Sequence, residues 1–323
     1  MNEEPEEPEG KGRESAVPGV RLSPEVERAL SDGRPVVALE STILCHGLPF
    51  PANLETHRDA EEAIRSEGGV PALVAVVKGV PRAGFSDAEA EAFARAGRAT
   101  RKATTRDLGL LAARRESGAT TVAATMAIAR AAGLRVFATG GIGGVHRGAA
   151  ETFDVSADLL ELSRTRVAVV ASGAKAVLDL PKTLEALETL GVPVVGFGTS
   201  ELPAFWVRGS GLALEVRCDD ADEVARLLLG HWAWPSAGGV LVANPIPADA
   251  ALSSESVDGA IERSLEAARE AGVRGKEVTP FLLSRLSEET GGRTLAANRA
   301  RVVSNASVAA RIASALLAPV PRP

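Results

Sequence analysis

The chain has 323 residues, of which 45% are hydrophobic and 24% charged, and its formal net charge is −6. This composition is typical of a soluble globular protein with one large domain or two small ones. The mildly acidic balance disfavours a nucleic-acid-binding surface, and with only 3% aromatic residues and no tyrosine the chain has little material for stacking on bases. No apolar run approaches the roughly 18 residues that span a bilayer. We therefore expect neither a nucleic acid nor a membrane as partner.

The two ends of the chain differ in composition from its middle. Residues 1–21 are acidic and proline-rich, unlike a secretory leader, and are predicted to be a disordered tail. A shorter tail is expected at 318–323, which leaves a single domain over 22–317. The two cysteines, Cys45 and Cys218, have no metal-ligand spacing, so a reducing compartment and a cytoplasmic location are expected.

Between the tails, short β-branched runs alternate with alanine-, glutamate- and arginine-rich helical segments. Near-continuous apolar strands separated by helices of about 10–15 residues are typical of an α/β protein whose sheet is covered on both faces. After residue 250 the pattern becomes helical. The predicted strands are "PVVALES", "PALVAVVKG", "LRVFATG", "RVAVVAS", "VPVVGFG", "LALEVR" and "GGVLVANP".

The first polar residue at a predicted strand end is Glu40, which is followed by Ser41 and Thr42. Open α/β sheets bind ligands at the carboxyl ends of their strands. A carboxyl group in a partly dry crevice there has a raised pKa and suits a general acid. The alternative is a solvated strand-end glutamate or a helix cap.

Two threonines precede an alanine-rich helix in "GATTVAATM". The free N–H groups at such a helix start suit a phosphate, so Thr120 and Thr121 are candidates for binding one. Lys102 would supply a compensating charge. The alternatives are simple N-capping by the threonines and a solvated lysine.

A glycine-rich segment follows the next predicted strand, in "VFATGGIGGVHRGAAETFDVSADL". The four glycines that directly follow the strand, Gly140, Gly141, Gly143 and Gly144, allow close backbone approach to a ligand, but their spacing is not that of a dinucleotide-binding loop. Asp154 and Asp158 follow, with Ser156 between them. The two carboxylates fit a hard cation and a sugar hydroxyl, or else they charge the first turn of a helix.

A lysine, Lys175, comes directly after the apolar run "VAVVASGA". Such a dry environment lowers the pKa of a lysine and makes it a nucleophile toward carbonyl carbons. A lysine paired with a carboxylate such as Asp154 or Glu40 is the alternative. Two asparagines near the end of the domain, Asn244 and Asn298, fit ligand contacts or ordinary turn chemistry equally well.

Read together, these stretches resemble the pseudouridine-5′-phosphate glycosidase family, also called indigoidine synthase A-like, over roughly residues 30 to 317. The resemblance is carried by six blocks in the family's order: "LESTILCHGLPFPAN", "GATTVAATM", "FATGGIGGVHRGAAETFDVSADL", "SGAKAVLDLPKTLEALETLGVPVVGFGT", "LPAFW" and "NPIP". It implies a three-layer α/β/α sandwich with a mixed central sheet, a helical C-terminal segment and a homotrimer.

The resemblance also implies an activity, the reversible cleavage of the carbon–carbon glycosidic bond of pseudouridine 5′-phosphate to uracil and ribose 5-phosphate. It makes Lys175 the nucleophile that forms an imine with C1′ of ring-opened ribose, Glu40 the proton donor, and Asp154 the ligand of one Mn²⁺ per subunit. The residues expected to contact the substrate, with Thr121 and Asn298 added from the patterns above, are Lys102, Thr121, Val122, Ser156, Ala157, Asp158 and Asn298.

Three rival functions share some of these residues. Another Schiff-base lyase acting on a phosphorylated sugar would use Lys175 and the phosphate site without a pocket for uracil. A non-catalytic sugar-phosphate-binding protein would not need Glu40, Asp154 and Lys175 together. A dehydrogenase is disfavoured by the broken glycine spacing.

Overall fold

The computed structural model describes residues 19–273 and 278–318. The predicted tails fall almost entirely outside these ranges, so the domain boundaries stay a prediction. The strands are β1 (Arg21–Leu22), β2 (Val36–Glu40), β3 (Val70–Val77), β4 (Val80–Ala83), β5 (Arg101–Ala103), β6 (Gly118–Thr120), β7 (Val136–Ala138), β8 (Ala168–Ala171), β9 (Val194–Phe197), β10 (Val216–Cys218) and β11 (Val240–Ala243).

The α-helices in the described ranges cover both faces of the sheet and make up most of the chain after β11. They are α1 (Pro24–Ser31), α2 (Ala52–Ser66), α3 (Asp87–Ala96), α4 (Thr105–Arg114), α5 (Val122–Ala131), α6 (Ala149–Thr152), α7 (Ala157–Arg164), α8 (Leu180–Thr189), α9 (Ala221–Trp232), α10 (Ser254–Glu270), α11 (Val278–Glu289) and α12 (Arg293–Ala315). None of these helices is both long and apolar enough to cross a bilayer.

Local sequence explains where several helices begin. Ser23 caps α1 by accepting a hydrogen bond from Val26 N, with Pro24 in the first turn. At α3, Ser86 and Glu89 each accept a hydrogen bond from the other's backbone N–H, which is a capping box. Short polar side chains thus satisfy the N–H groups that a helix start leaves free.

The sheet is mixed, as the sequence analysis expected. Its main path runs in the order β1-β4-β3-β2-β7-β8-β11-β9-β10. All neighbours from β3 to β10 along this path are parallel, whereas β4 and β6 run antiparallel to β3. After β2 the chain adds β3 on one side and later β7 on the other, so the strand order reverses at β2. Such a reversal opens a crevice at the carboxyl ends of the strands.

The two largest apolar cores of the described residues, one on each face of the sheet, make the fold a three-layer sandwich. On one face, α1, α5 and α7 pack against alternate strand residues such as Ala38 and Val169. On the other face, α2, α9 and α12 pack against the intervening residues such as Val37 and Val170. Because both faces are covered, β2 and β8 are buried along their whole length.

The sequence analysis missed the short strands β1, β4, β5 and β6. Each has two to four residues, too few for alternation of apolar and polar side chains to show. They form through pairing with β3, directly or through another short strand. Tertiary contacts therefore decide their conformation.

The C-terminal helix α12 is fixed to the strand ends by the buried side chain of Asn305. Its Nδ2 donates to the carbonyl oxygen of Thr139 at 2.7 Å and to Oγ of Ser172 at 3.2 Å. Its Oδ1 accepts from Nδ2 of Asn244 at 2.9 Å. This network joins α12 to the ends of β7, β8 and β11, so helix and crevice are positioned together.

We predict that Asn305→Ala lowers the free energy of unfolding by about 2–4 kcal/mol, because it leaves several buried polar groups without partners. Urea denaturation followed by circular dichroism measures the change. Ser307→Ala is the matched control, since Ser307 lies on the same helix and bonds Glu67 at the surface. It should change stability by no more than about 0.5 kcal/mol, and equal effects of the two variants would contradict the anchoring role.

Candidate functional site

The crevice at the strand reversal contains a buried carboxyl group. Glu40, the last residue of β2, is only 7% exposed. Its two carboxylate oxygens accept hydrogen bonds from the hydroxyl groups of Thr42 and Thr139. Thr139 follows β7, the neighbouring strand, so the two strands across the reversal hold this side chain between them.

Burial raises the pKa of Glu40 above its ordinary value. The positive charge of Lys175 and the two threonine hydrogen bonds act in the opposite direction, and the charge of Asp158 adds to the effect of burial. Glu40 therefore has the environment of a general acid, as one of the two sequence interpretations expected. The alternative of a solvated glutamate is wrong.

Lys175 lies closer to solvent than the sequence suggested. Strand β8 ends at Ala171, and Lys175 is half-buried in the loop that follows. The expectation of a lysine at the very end of a dry strand is therefore corrected. The loop is held in place because Lys175 N donates to the carbonyl oxygen of Ile142 at 3.0 Å, and the side chain is near enough for its charge to act on Glu40.

His146, Asp154 and Lys102 form the second half of the site. Nδ1 of His146 lies 3.8 Å from a carboxylate oxygen of Asp154. Burial lowers the pKa of His146, Asp154 opposes this, and the charges of Lys175 and Lys102 add to it. The structure thus gathers three predicted residues, from β5, the loop before α7 and the loop after β8, around one imidazole.

Asp158 holds two parts of the site in position. One carboxylate oxygen accepts from Ala123 N at 2.9 Å and the other from Gly143 N at 2.8 Å. Ser156 caps α7, which begins at Ala157, and its Oγ accepts from Asp158 N at 3.2 Å. Both oxygens of Asp158 are thus committed to backbone N–H groups, so the structure favours a positioning role over a shared cation site with Asp154.

The backbone of the glycine-rich segment lies in direct contact with side chains from other parts of the chain. A Cβ on Gly140 would collide with the guanidinium of Arg301, and one on Gly141 would lie 2.6 Å from the ring of Phe205. A Cβ on Gly143 would meet Ser156 and Asp158. Close approach, rather than backbone conformation, is therefore what requires glycine here.

The backbone N–H groups at the start of α5 are not capped by the side chain at the N-cap position. Thr121 stands at the N-cap position but makes no capping hydrogen bond, and its buried Oγ1 has no partner among the described residues. Val122, the first helical residue, is buried. The capping alternative for Thr121 is thus wrong. Thr120 is buried and donates to the carbonyl oxygen of Val74 at 2.7 Å, which gives it a structural role.

Asn298 lies on α12 and uses its amide oxygen within the protein. That oxygen accepts from Nε1 of Trp206 at 2.8 Å and from Nε and Nη2 of Arg301 at 3.1 and 2.8 Å. These contacts hold an arginine and a tryptophan in the wall of the site. A substrate contact of Asn298 remains a prediction, to be made by its amide nitrogen.

Sequence reasoning missed Thr139, His146, Arg301 and Asn305. The first two lie inside the glycine-rich segment, where nothing in the local pattern distinguishes them. The other two did leave a signal, because Asn298, Arg301 and Asn305 follow the i, i+3, i+7 spacing of one helix face in an alanine-rich segment.

The described residues contain no cluster of three or more His, Cys, Asp or Glu side chains able to hold a metal ion. A metal at Asp154 would thus have at most two such side chains from the described residues, with water in its remaining positions. Hard cations such as Mn²⁺ accept oxygen ligands of this kind. Asp154 is only partly buried, which leaves room for such a hydrated ion.

Comparison with known proteins matches residues 25–315 to the family described as indigoidine synthase A like protein. Curated relatives named pseudouridine-5′-phosphate glycosidase match over more than nine tenths of this chain. One from Solibacter usitatus is 51% identical over 92% of this chain and 99% of its own length. One from Escherichia coli is 50% identical over 91% of this chain and 94% of its own, and one from Paracoccus denitrificans is 53% identical over 93% and 99%.

Two solved structures share the fold. The prealnumycin C-glycosynthase AlnA in complex with ribulose 5-phosphate superposes with a TM-score of 0.85 at 39% identity, over 92% of this chain and 97% of that one. An indigoidine synthase A-like protein from Thermotoga maritima gives a TM-score of 0.83 at 38% identity, over 93% and 97%. These likenesses confirm the mixed α/β fold expected from the sequence.

Proposed function

The chain belongs to the indigoidine synthase A-like protein family, and from that premise we propose that it is a pseudouridine-5′-phosphate glycosidase. It cleaves the carbon–carbon bond between ribose and uracil reversibly. The observation that carries this proposal is the buried carboxyl of Glu40 within the field of Lys175. The names of relatives about 50% identical over most of the chain support it.

The carbon leaving group explains why a lysine is needed. Ordinary glycosidases use two carboxyl groups and break the glycosidic bond through an oxocarbenium-like transition state. In pseudouridine the leaving atom is C5 of uracil, which would depart as a poorly stabilised carbanion. We propose that neutral Lys175 instead forms a bond from Nζ to C1′. The bond from C1′ to the ring oxygen breaks, and that oxygen takes the proton of Glu40.

The carbon–carbon bond breaks in the second step. After the first step the lysine nitrogen is a secondary ammonium, and it returns one proton to the Glu40 carboxylate. Its freed lone pair then forms a C=N bond to C1′ as the bond from C1′ to C5 breaks, and uracil keeps the electron pair while C5 takes that proton from Glu40. Water then hydrolyses the imine, which releases ribose 5-phosphate and regenerates Lys175. The chemistry requires a proton held by Glu40 at the start, and the burial that raises its pKa favours this.

The phosphate group is proposed to bind at the start of α5. Thr121 Oγ1 has no partner among the described residues, and Val122 begins the helix. Lys102 lies on β5, which pairs with β6 directly before α5, and it adds a positive charge there. Helix N-termini and lysines both favour phosphate. Ser156, Ala157 and Asp158 border this region through the bond from Ala123 N to Asp158. The ribulose 5-phosphate bound to AlnA supports a sugar-phosphate ligand.

We propose one Mn²⁺ per subunit at Asp154. When bound, the ion supplies positive charge that polarises or orients the base through its water ligands. Asp154 would hold it, with His146 beside the carboxylate at 3.8 Å. The reaction steps above are carried by Lys175 and Glu40.

We further propose a homotrimer in the cytoplasm. Large apolar side chains next to Asp154 are exposed in the single chain, with Phe153 86% and Val155 50% exposed, and contact with another subunit would cover such side chains. Cys45 and Cys218 are both free thiols, which supports a reducing compartment. Light scattering coupled to size-exclusion chromatography measures the assembly.

A different Schiff-base lyase on a phosphorylated sugar is the rival activity. It would share Lys175 and the phosphate site, and it would release no uracil from pseudouridine 5′-phosphate. The similarity to a protein named as a C-glycosynthase supports the glycosidase over this rival.

Wild-type protein is expected to release uracil from pseudouridine 5′-phosphate, measured by ultraviolet absorbance. Glu40→Gln should lower kcat by about 10²–10⁴-fold, because it removes the proton donor. Glu161→Gln is the matched control, since Glu161 is also buried but bonds Thr165 and Arg164 at the far end of α7. Near-wild-type turnover in Glu40→Gln would reject the proton-donor role.

Borohydride added together with ribose 5-phosphate should attach the reduced sugar to Lys175, because hydride converts the imine to a stable secondary amine. Peptide mass spectrometry locates the adduct. Lys182→Arg should be trapped as well as wild type, since Lys182 is exposed and paired with Asp179, and Lys175→Arg should not. Folded wild-type protein without an adduct at Lys175 would rule out the nucleophile assignment.

Asp154→Asn is expected to weaken Mn²⁺ binding at least about tenfold, because it removes the charged ligand. Electron paramagnetic resonance of free Mn²⁺ measures the affinity without reference to turnover. Glu151→Gln, three residues earlier and exposed, should bind the ion as wild type does. Unchanged affinity in Asp154→Asn would show that the ion binds elsewhere.

A further inference from the structure

Arg301 is a buried cation that the reaction described above does not use. It lies on α12 and is 7% exposed. Its Cζ sits 3.5 Å from the centroid of the Phe205 ring, and its Nε and Nη2 both donate to Oδ1 of Asn298. Its Nη1 lies against Gly140. Four constraints therefore hold the guanidinium in one place.

All of the groups that hold Arg301 are neutral. Nη1 has no hydrogen-bond partner within residues 19–273 and 278–318, and no carboxylate in those ranges forms an ion pair with this guanidinium. A buried charge without a counter-ion is costly, and burial lowers the pKa of Arg301 to about 9, with the charge of Glu40 opposing this. The folded protein therefore holds the guanidinium of Arg301 in a place where its positive charge is unfavourable for stability, which indicates a functional role.

The carboxyl group whose charge acts on Arg301 is Glu40. The two residues approach the same strand end from different layers, Glu40 from β2 and Arg301 from α12, and Gly140 after β7 allows the guanidinium to come close. The positive charge of Arg301 is therefore near the carboxyl group of Glu40, which becomes negative when it loses its proton.

We propose that Arg301 is a positioning residue, a fixed positive charge that stabilises the carboxylate of Glu40 after this residue has given its proton to the ring oxygen. The nitrogen of Lys175 is neutral when it attacks C1′ and changes its charge during the reaction, whereas the guanidinium of Arg301 keeps its positive charge throughout. Arginine suits the task because its ordinary pKa is so high that the guanidinium stays charged at neutral pH even where burial lowers that pKa. The catalytic part of this role rests on the proposed function.

The groups that face Glu40 come from several elements and act in both directions. Lys175 from the loop after β8 and Arg301 from α12 favour the carboxylate, as do the hydroxyls of Thr42 and Thr139. Asp158 of α7 and burial favour the protonated form. Removing the charge of Arg301 therefore raises the pH at which Glu40 ionises.

The experiment is an infrared titration of the Glu40 carboxyl in the full-length protein without substrate. The carboxyl band is identified by its loss in Glu40→Gln. Arg301→Met, which removes the charge and keeps an unbranched side chain, should move the midpoint up by about 1 pH unit. Arg301→Lys, which keeps a charge, should move it less.

Arg135→Met is the matched control. Arg135 also lies over an aromatic ring, with its Cζ 4.5 Å from the centroid of Trp232, but it is exposed and directly precedes β7, at the opposite end of that strand from Thr139. Its replacement should leave the Glu40 midpoint unchanged. An unchanged midpoint in folded Arg301→Met would overturn the proposal.

Two further measurements keep the proposal open to refutation. If Arg301→Met does not fold, Asn298→Ala releases two of the bonds that fix the guanidinium, and it too should raise the midpoint; no rise there would count against the role. In a pH profile of kcat/KM, the alkaline limb should shift upward in Arg301→Met and return toward wild type in Arg301→Lys. A merely structural arginine would lower the rate without moving the limb.

The titration also separates this proposal from the proposed function. A shifted midpoint in a protein that releases no uracil would support the pairing of Arg301 with Glu40 and reject the glycosidase. Uracil release by wild type with an unshifted midpoint in Arg301→Met would do the reverse.

Discussion

Glu40 places an ionisable carboxyl group where water scarcely reaches, at the end of a fully buried strand. Burying such a group costs several kcal/mol unless it keeps its proton or gains partners. The surrounding structure acts on both forms of the group. Two threonine hydroxyls and two cations stabilise the carboxylate, whereas burial and the charge of Asp158 stabilise the protonated form. A group balanced in this way can give up a proton and take it back.

The rest of the site follows from the need to bring those partners to one point. Parallel strands place Thr139 beside Glu40, because their carboxyl ends share one edge of the sheet. Asn305 then fixes α12 to the same edge through Thr139 and Ser172, and α12 carries Arg301 one turn away. The glycines after β7 make room, since a Cβ on Gly140 would displace the guanidinium.

Much of the fold and part of the site could be predicted from the sequence. The buried strands, the long helices and the helical end of the chain follow from hydrophobic periodicity, and Glu40 and Lys175 are conspicuous because polar residues directly follow apolar runs. The short strands could not be predicted, because they form only by pairing with β3. Lys175 proved half-buried in a loop, because β8 ends four residues earlier.

The sequence by itself determined which segments are buried, which family the motifs resemble, and which ionisable residues interrupt the apolar pattern. Tertiary structure alone decided which of these meet, because Glu40, Lys175 and Arg301 are far apart in the chain and only strand order and helix docking bring them together. It also separated roles that the sequence left equal. Asp158 commits both its carboxylate oxygens to backbone N–H groups, whereas Thr121 keeps an unpartnered hydroxyl among the described residues. Such differences depend on neighbours from other elements, which no local pattern contains.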